Sequence, residues 1–222
     1  MITHAFNGET TAQEQAYANL RKRVLIGDLA PGQKLTLRGI AAELGLSPTP
    51  VREALRRLAA EGALLVQQNR RVIVPKPTTA QLVELVQLRC AVEIHLAERA
   101  LPFVSDHLVA TMRAVDDDID AAVVARDYAA IVLENQRFHA LLFAANPTHV
   151  GLPLVDSLWL QLGPCMRIAA SFVDELYPED HHKVLLDALS VRDAERVKRS
   201  LTQDIQAGFG DLRESALRKL LG

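Results

Sequence analysis

The sequence predicts a mainly α-helical protein that contains one small β-hairpin. Most of the 222 residues fall into segments whose apolar side chains recur every three to four positions, which is the period of an amphipathic helix. One short stretch, residues 63–74, instead places two apolar triplets around a polar tip, which is typical of a hairpin. Aromatic residues make up only 5% of the chain, and this disfavours a β-sandwich or a barrel.

Composition excludes several classes of protein. Hydrophobic residues form 49% of the chain, which is enough for a packed core, and no apolar run approaches the length of a membrane span. We find no basic segment followed by an apolar block near Met1, so we expect neither a secretory signal nor a membrane partner. Cys90 and Cys165 lie in helical apolar segments, which argues against a disulfide scaffold and fits a reducing, cytoplasmic compartment.

Charge is distributed unevenly along the chain. Residues 20–76 contain 11 Lys and Arg against 4 Asp and Glu, a net charge of +7, whereas residues 77–222 contain 14 against 21, a net charge of −7. A basic segment joined to an acidic one indicates two tasks, and the basic part is a candidate for binding a polyanion. Ordinary surface charge is the alternative interpretation.

The basic segment predicts three helices followed by the hairpin. The helices are expected over residues 12–26, 37–44 and 48–60. Gly45 suits a left-handed C-cap and Ser47 suits an N-cap, so the second and third helices are joined by a tight turn. This arrangement is a helix-turn-helix, and the hairpin makes it winged. We assign residues 10–75 to this DNA-binding domain and residues 76–78, which overlap the Pro75-Lys76-Pro77 stretch, to a linker.

The third predicted helix is apolar on one side and cationic on the other. In a helix-turn-helix the second helix of the motif enters the major groove with its N-terminal residues leading. Arginine suits guanine edges or phosphate, and Ser and Thr hydroxyls suit phosphate. The candidate DNA contacts are Ser47, Thr49, Arg52 and Arg56 on this helix, and Arg70 and Arg71 at the hairpin tip. A solvated basic helix is the alternative, since the same shape occurs in proteins that bind no DNA.

The acidic remainder, residues 79–222, predicts an all-α antiparallel helical bundle. Its helices are expected over residues 79–100, 105–126, 127–145, 152–172, 178–190 and 192–219. Five polar side chains fall on the apolar stripes of these helices: Arg89, Asn135, His139, His182 and Asp204. A buried polar group without a partner costs about 1–3 kcal/mol. We therefore expect the five to meet in one internal polar cavity.

Four of these side chains form a candidate metal site. Asn135 and His139 are four residues apart on one helix and can reach the same ion. With His182 and Asp204 they make a set of nitrogen and oxygen ligands that suits Zn²⁺, Ni²⁺ or Mn²⁺. The alternative is a group of satisfied core residues or a water-filled pocket.

Two further polar features need an interpretation. Arg89 either pairs with the carboxylate of a bound effector or forms a buried ion pair with Glu93, one turn away. The acidic run from Asp116 to Asp118, with Asp120, is interpreted as a solvated helix face rather than a cation site.

Residues 21–74 resemble the GntR family of bacterial transcription regulators. The resemblance is carried by LIGDLAPGQKL, IAAELGLSPTPVREALRRLAAEGAL and NRRVIV. It implies DNA contacts from Arg38, Ser47, Thr49, Arg52 and Arg71. Pro48 stands where the family often has Arg, and Arg71 stands where the wing often has Gly. These departures imply an operator that differs in detail from the usual one.

Residues 80–215 resemble the FCD effector domain of the FadR-type branch of that family. The matching segments are LRCAVE, NQRFHALLFAAN, HHKVLLDAL and residues 193–205. In that family an Asp and three His hold a divalent metal beside a pocket for a small carboxylate effector. Here Asn135 replaces the Asp and Asp204 replaces one His, so the implied metal site keeps one carboxylate. Its affinity should be lower, because an amide oxygen is neutral.

The sequence as a whole predicts a homodimeric transcription regulator, most simply a repressor, rather than an enzyme. Its winged domain would bind a palindromic double-stranded DNA operator, and its bundle would dimerise and sense a small organic acid. Three alternatives stay open. They are a regulator whose effector is the metal itself, a metal-dependent hydrolase using His139 and His182, and a bundle that only dimerises. The hydrolase lacks an obvious general base, nucleophile or cofactor loop.

Overall fold

The structure is a computed structural model that describes residues 11–67, 71–177 and 179–222. Its elements are α1 (Ala12–Leu25), β1 (Lys34–Leu35), α2 (Leu37–Leu44), α3 (Pro48–Ala60), β2 (Leu65–Val66), β3 (Val72–Ile73), α4 (Thr79–Ala100), α5 (Asp106–Ala125), α6 (Tyr128–Ala144), α7 (Leu152–Ala170), α8 (Val173–Leu176), α9 (His181–Ser190), α10 (Ala194–Ala207) and α11 (Glu214–Leu221). The predicted fold class, a winged helix-turn-helix followed by a helical bundle, is confirmed. Across the described residues, no helix has both the length and the apolar character that crossing a bilayer requires.

Local signals account for the helix-turn-helix. Thr36 caps the start of α2 by accepting a hydrogen bond from the backbone N–H of Gly39, and α2 ends at Gly45 with a φ of 65°. α3 then begins with Pro48, whose missing N–H is not needed in a first helical turn. The buried side of α3 carries Val51 and Leu58, and it packs against α1.

The wing contains one more strand than the sequence predicts. β3 lies in the centre of an antiparallel sheet and pairs with β2 on one side and β1 on the other. Ile73 is the register partner of both Leu65 and Lys34. β1 is only two residues long, and so short a segment shows no alternating pattern that could reveal it.

The bundle is built on an apolar core around large buried side chains. Trp159, Phe138, Phe143 and Phe209 are each fully enclosed. α5 packs against α6 and α9, while α10 packs against α9 and α4. These pairings enclose the inner faces of five helices, and the polar side chains on those faces are therefore brought close together.

The helix predicted over residues 192–219 is wrong as a single element. α10 ends at Ala207, a single 3-10 turn follows at Gly210–Leu212, and α11 begins at Glu214. Gly210 has a φ of 62°, and Asp211 and Leu212 also adopt left-handed conformations. Three successive residues with positive φ end a right-handed helix, and α11 is redirected back against α7 and α4.

The winged domain packs directly on α7 of the bundle. A Cβ atom added at Gly163 would lie 2.5 Å from the carbonyl oxygen of Leu25 at the end of α1. An ion pair between Arg21 and Asp156, 3.2 Å apart, lies along the same contact. The absence of a side chain at residue 163 therefore allows the two backbones to approach.

Substituting Gly163 with alanine is expected to destabilise the protein by about 1–3 kcal/mol, because the obstacle is backbone rather than a movable side chain. Urea unfolding of the two proteins would measure the loss. Gly208→Ala is the matched control, since a Cβ there would have only ordinary contacts at 3.7 Å and its φ is helical. Equal stability of wild type and Gly163→Ala would contradict the close approach.

Candidate functional site

The exposed side of α3 carries the cationic face that the sequence predicts. Thr49, Arg52 and Arg56 are exposed on this helix. Arg56 is paired with Glu53, with 2.9 Å between Nη1 and Oε1, and both side chains are solvated. Solvated pairs of this kind contribute little free energy, so Arg56 can exchange Glu53 for a phosphate at low cost.

Arg52 and Arg57 lie on different sides of α3. Arg57 stacks over the Tyr17 ring at 3.7 Å and lies 3.2 Å from Glu61, which holds it against the body of the domain. Arg52 is exposed and forms no ion pair with any residue in the described part of the chain. Arg52 is therefore the α3 cation that is most available to an external anion.

The other predicted DNA contacts surround this face. Arg38 is exposed on α2, and Ser47 precedes α3 without making a side-chain capping bond to the residues that the structure describes. Arg71 is exposed in the wing, where its backbone carbonyl accepts a hydrogen bond from the N–H of Gln67. Arg70 lies outside the described residues.

Four helices bring the predicted polar side chains of the bundle together. α4 supplies Arg89, α6 supplies Asn135 and His139, α9 supplies His182 and α10 supplies Asp204. All except the half-buried Asn135 are at most 3% exposed. The Nε2 atom of His139 lies 3.1 Å from Oδ2 of Asp204, and the Nε2 atom of His182 lies 3.3 Å from Oδ1 of the same carboxylate. These side chains therefore lie together in the interior of the bundle, as the sequence predicts.

Asp116 is a member of this cluster that the sequence interpretation missed. It is 2% exposed, not solvated, and its Oδ1 accepts a hydrogen bond from Nδ1 of His182 over 3.1 Å. Asp116 lies between Met112 and Ile119 on the buried stripe of α5. That spacing was the available signal, but the neighbouring acidic residues in the sequence concealed it.

The contact with Asp116 fixes how the His182 ring is used. A carboxylate only accepts hydrogen bonds, so Nδ1 carries a proton, and in the neutral imidazole the lone pair is on Nε2. Phe138 stacks on the ring at 4.2 Å between centroids and holds its plane. This carboxylate–imidazole arrangement is the one that orients metal-binding histidines in proteins.

Several buried polar atoms in the cluster have no hydrogen-bond partner among the described residues. They are Nε2 of His182, both ring nitrogens of His139, Oδ1 of Asn135, Oδ2 of Asp116 and Oε2 of Glu93. His139 lies within 3.3 Å of two carboxylates, but the angles do not allow hydrogen bonds to either. So many unsatisfied atoms in one place indicate a site for a bound group.

The charge of the cluster also favours a cation. Glu93, Asp116 and Asp204 contribute three buried carboxylates against the guanidinium of Arg89, so the net charge is −2 while both imidazoles are neutral. Burial alone would lower the pKa of His182, but Asp204 and Asp116 outweigh that effect and raise it. A divalent ion would balance this charge, and His139, His182, Asp204 and Asn135 provide suitable nitrogen and oxygen donors.

Arg89 is paired with Glu93 in the structure. Its Nε donates a hydrogen bond to Oε1 of Glu93 over 2.6 Å, and its guanidinium lies 4.0 Å from the ring centroid of Trp159. The indole N–H of Trp159 donates to the same carboxylate oxygen over 2.7 Å. The sequence interpretation missed this role of Trp159, because a tryptophan on an apolar stripe is typical of an ordinary core.

A cavity of about 270 Å³ adjoins the cluster, a size suited to a small metabolite. Arg89, Asn135, His182 and Asp204 line one wall, and apolar side chains such as Met166 line another. Tyr177, which follows the end of α8, also lines the cavity and donates a hydrogen bond to Oδ1 of Asp204 over 2.5 Å. Burial, followed by the nearby Asp204 charge, raises the pKa of Tyr177, so it stays a donor at any physiological pH.

A winged helix-turn-helix that presents a cationic helix and is joined to a helical bundle defines the class of DNA-binding transcription regulators. Residues 12–74 match the family model of bacterial regulatory proteins, gntR family, and residues 84–207 match that of the FCD domain. The chain belongs to the GntR family, in the branch whose bundle is an FCD domain.

Sequence similarity to named transcription regulators extends over most of the chain and supports this assignment. The HTH-type transcriptional regulator McbR of Escherichia coli K12 is 26% identical over 201 residues, which cover 89% of this chain and 91% of that protein. The gluconate operon transcriptional repressor of Bacillus subtilis 168 is 24% identical over 91% of this chain and 86% of its own. Both are regulators of transcription, so the prediction of a regulator rather than an enzyme is confirmed.

Solved structures show the same fold. The structure of E. coli McbR/YncC superposes with a TM-score of 0.82 at 25% identity, covering 91% of this chain and 97% of that one. A GntR-type regulator from Rhodococcus sp. RHA1 gives a TM-score of 0.73 at 23% identity, covering 95% and 97% of the two chains.

Proposed function

We propose that the protein is a homodimeric repressor whose affinity for its operator changes when a small carboxylate binds in the bundle beside a divalent metal. The observation that carries this proposal is the convergence of unsatisfied polar atoms beside a cavity in the bundle. The DNA contacts would come from the seven residues that the sequence predicts. They are Arg38, Ser47, Thr49, Arg52, Arg56, Arg70 and Arg71.

Asn135, His139, His182 and Asp204 would hold the ion. A divalent ion in this position would supply a Lewis-acid anchor for a carboxylate oxygen. Asp116 would keep the His182 ring in the binding orientation through its hydrogen bond to Nδ1. The neutral amide of Asn135 contributes no charge, so this chain should hold its ion less tightly than a site with two carboxylates.

Arg89 would be the second anchor for the effector. It lines the cavity while Glu93 and Trp159 fix its guanidinium, so it is already ordered before a ligand arrives. A relative from Bacillus subtilis is named as the repressor of a gluconate operon, and gluconate is a small carboxylate. That name is consistent with an organic acid as the effector of this chain.

α7 would connect the cavity to the DNA-binding domain. Met166 and Ala169 on α7 line the cavity, and Gly163, one turn before Met166, contacts the end of α1. A ligand changes the DNA affinity only if it binds the two arrangements of this contact with different affinity.

Chelator-treated protein, titrated first with Zn²⁺, Ni²⁺ or Mn²⁺ and then with gluconate, lactate or citrate, tests the proposal. Binding would be measured by fluorescence anisotropy on a duplex selected by the protein from a random-sequence library. We expect the metal to raise the thermal unfolding temperature with little effect on DNA binding, and an acid to change the DNA affinity only when the metal is present. A response to metal alone would instead make the ion the effector. No response to either would refute the sensing role.

A further inference from the structure

The cavity wall is far more acidic than a carboxylate ligand alone would require. The carboxylates that line it are Asp116, Asp120, Asp174, Asp180 and Asp204. The guanidinium that lines it, on Arg89, is already neutralised by Glu93 at 2.6 Å. A purely anionic effector would enter a site of its own sign, which costs binding free energy.

Asp116 lies on the side of the His182 ring away from the proposed metal site. It contacts Nδ1 of His182, whereas Asp204 lies near Nε2 on the opposite edge of the ring. An ion held by Nε2 is thus separated from Asp116 by the width of the imidazole. Asp116 lines the cavity, and its Oδ2 atom is buried and has no hydrogen-bond partner among the residues that the structure describes. A buried carboxylate oxygen without a donor is costly, and a ligand in the adjoining cavity would supply one.

Two carboxylates of the cavity wall already bind one ammonium group. Nζ of Lys183 lies 2.9 Å from Oδ2 of Asp120 and 2.5 Å from Oδ2 of Asp180. Two of the five carboxylates are therefore occupied by a primary amine of the chain itself. Asp116 lines the same cavity and has no such ammonium partner among the described residues.

We propose that the effector carries a protonated amine in addition to its carboxylate, and that the ammonium group donates a hydrogen bond to Oδ2 of Asp116. The ligand class is therefore an amino acid or another short amino-carboxylate. This inference rests on the proposed function, because the metal and Arg89 are assigned to the carboxylate end. The ammonium end is assigned from Asp116 and the acidic wall.

Matched pairs of ligands, which differ only in an amine or a hydroxyl, provide the test. Alanine with lactate, aspartate with malate, and 4-aminobutyrate with 4-hydroxybutyrate would be titrated by calorimetry into the Zn²⁺-loaded full-length protein. In the pair that fits the cavity best, the added hydrogen bond between charged groups should make the amine bind at least about tenfold more tightly than its hydroxy analogue. Asp116→Asn should abolish this preference, measured as the ratio of the affinities for the amine and the hydroxy acid of each pair. Asp117→Asn, on the exposed side of α5, is the control and should behave like wild type.

The outcomes separate this inference from the proposed function. Equal binding of amine and hydroxyl in each pair, or tighter binding of the hydroxy acid, overturns the ammonium assignment and leaves an acid sensor. Parallel loss of both ligand classes in Asp116→Asn, with reduced zinc content, assigns Asp116 only to orienting His182 and also overturns it. If no member of any pair binds the zinc-loaded protein, both proposals fail. If Asp116→Asn does not fold, the comparison of pairs in the wild-type protein still decides.

Discussion

Substituting Arg52 with alanine is expected to weaken binding of the operator duplex by about 5- to 150-fold, corresponding to about 1–3 kcal/mol. The exposed guanidinium has no ion pair within the described chain, so it can bind DNA without first breaking an internal contact. It also lies close to the N-terminal end of α3, the end that leads into the major groove. Few other side chains on α3 combine charge, exposure and position in this way.

Fluorescence anisotropy at fixed salt would measure the effect, and a salt series would reveal its origin. Loss of a phosphate contact reduces the slope of log affinity against log salt by about one, whereas loss of a contact to a base edge relaxes the sequence preference. Arg57→Ala is the matched control, because that arginine packs on Tyr17 and should change DNA affinity by no more than about twofold. Unchanged affinity of Arg52→Ala would mean that α3 presents a different face to DNA.

Substituting His139 with alanine is expected to weaken metal binding by at least about 100-fold, since loss of even an indirect partner of a metal costs 10- to 100-fold. The variant should also lose its response to effector. In the wild-type protein the His139 imidazole places a buried nitrogen 3.1 Å from Asp204. His139 is also far along the chain from the DNA-binding helices. Metal-free variant and metal-free wild type should therefore bind DNA equally.

Metal content after dialysis and DNA binding would be measured on the same preparations. His95→Ala, an exposed histidine on α4, controls for loss of any imidazole and should keep its metal. His139→Gln retains more side-chain volume and separates a packing defect from loss of a ligand. Retention of full metal affinity by both His139 variants would exclude this residue from the metal site.

Local signals were sufficient where a helix had clear ends. The bounds of α2, α3 and α4 follow from Gly45, from prolines in a first turn, and from Thr78 capping the start of α4. β1 was too short to be recognised, and the break after α10 depends on three left-handed residues, two of which are not glycine. Such conformations are set by the packing of α11, which sequence alone does not describe.

Stripe analysis predicted much of the buried site because polar residues stand out against apolar neighbours. Arg89, His139, His182 and Asp204 were identified in this way, and all four are buried. Asp116 was missed because it begins a run of acidic residues. Its partner His182 is 66 residues away, so their hydrogen bond depends on the packing of α5 against α9.

The direct backbone contact at Gly163 has a mechanical consequence. Helices separated by long side chains can slide past one another as rotamers adjust, but a carbonyl oxygen beside a residue without a side chain has no such freedom. Under the proposed function, a sub-ångström displacement of the cavity wall near Met166 would therefore be passed to Leu25, and through α1 to the helix packed against it. Proteins that differ only at position 163 should then differ in how much a ligand bound in the bundle changes the affinity for DNA.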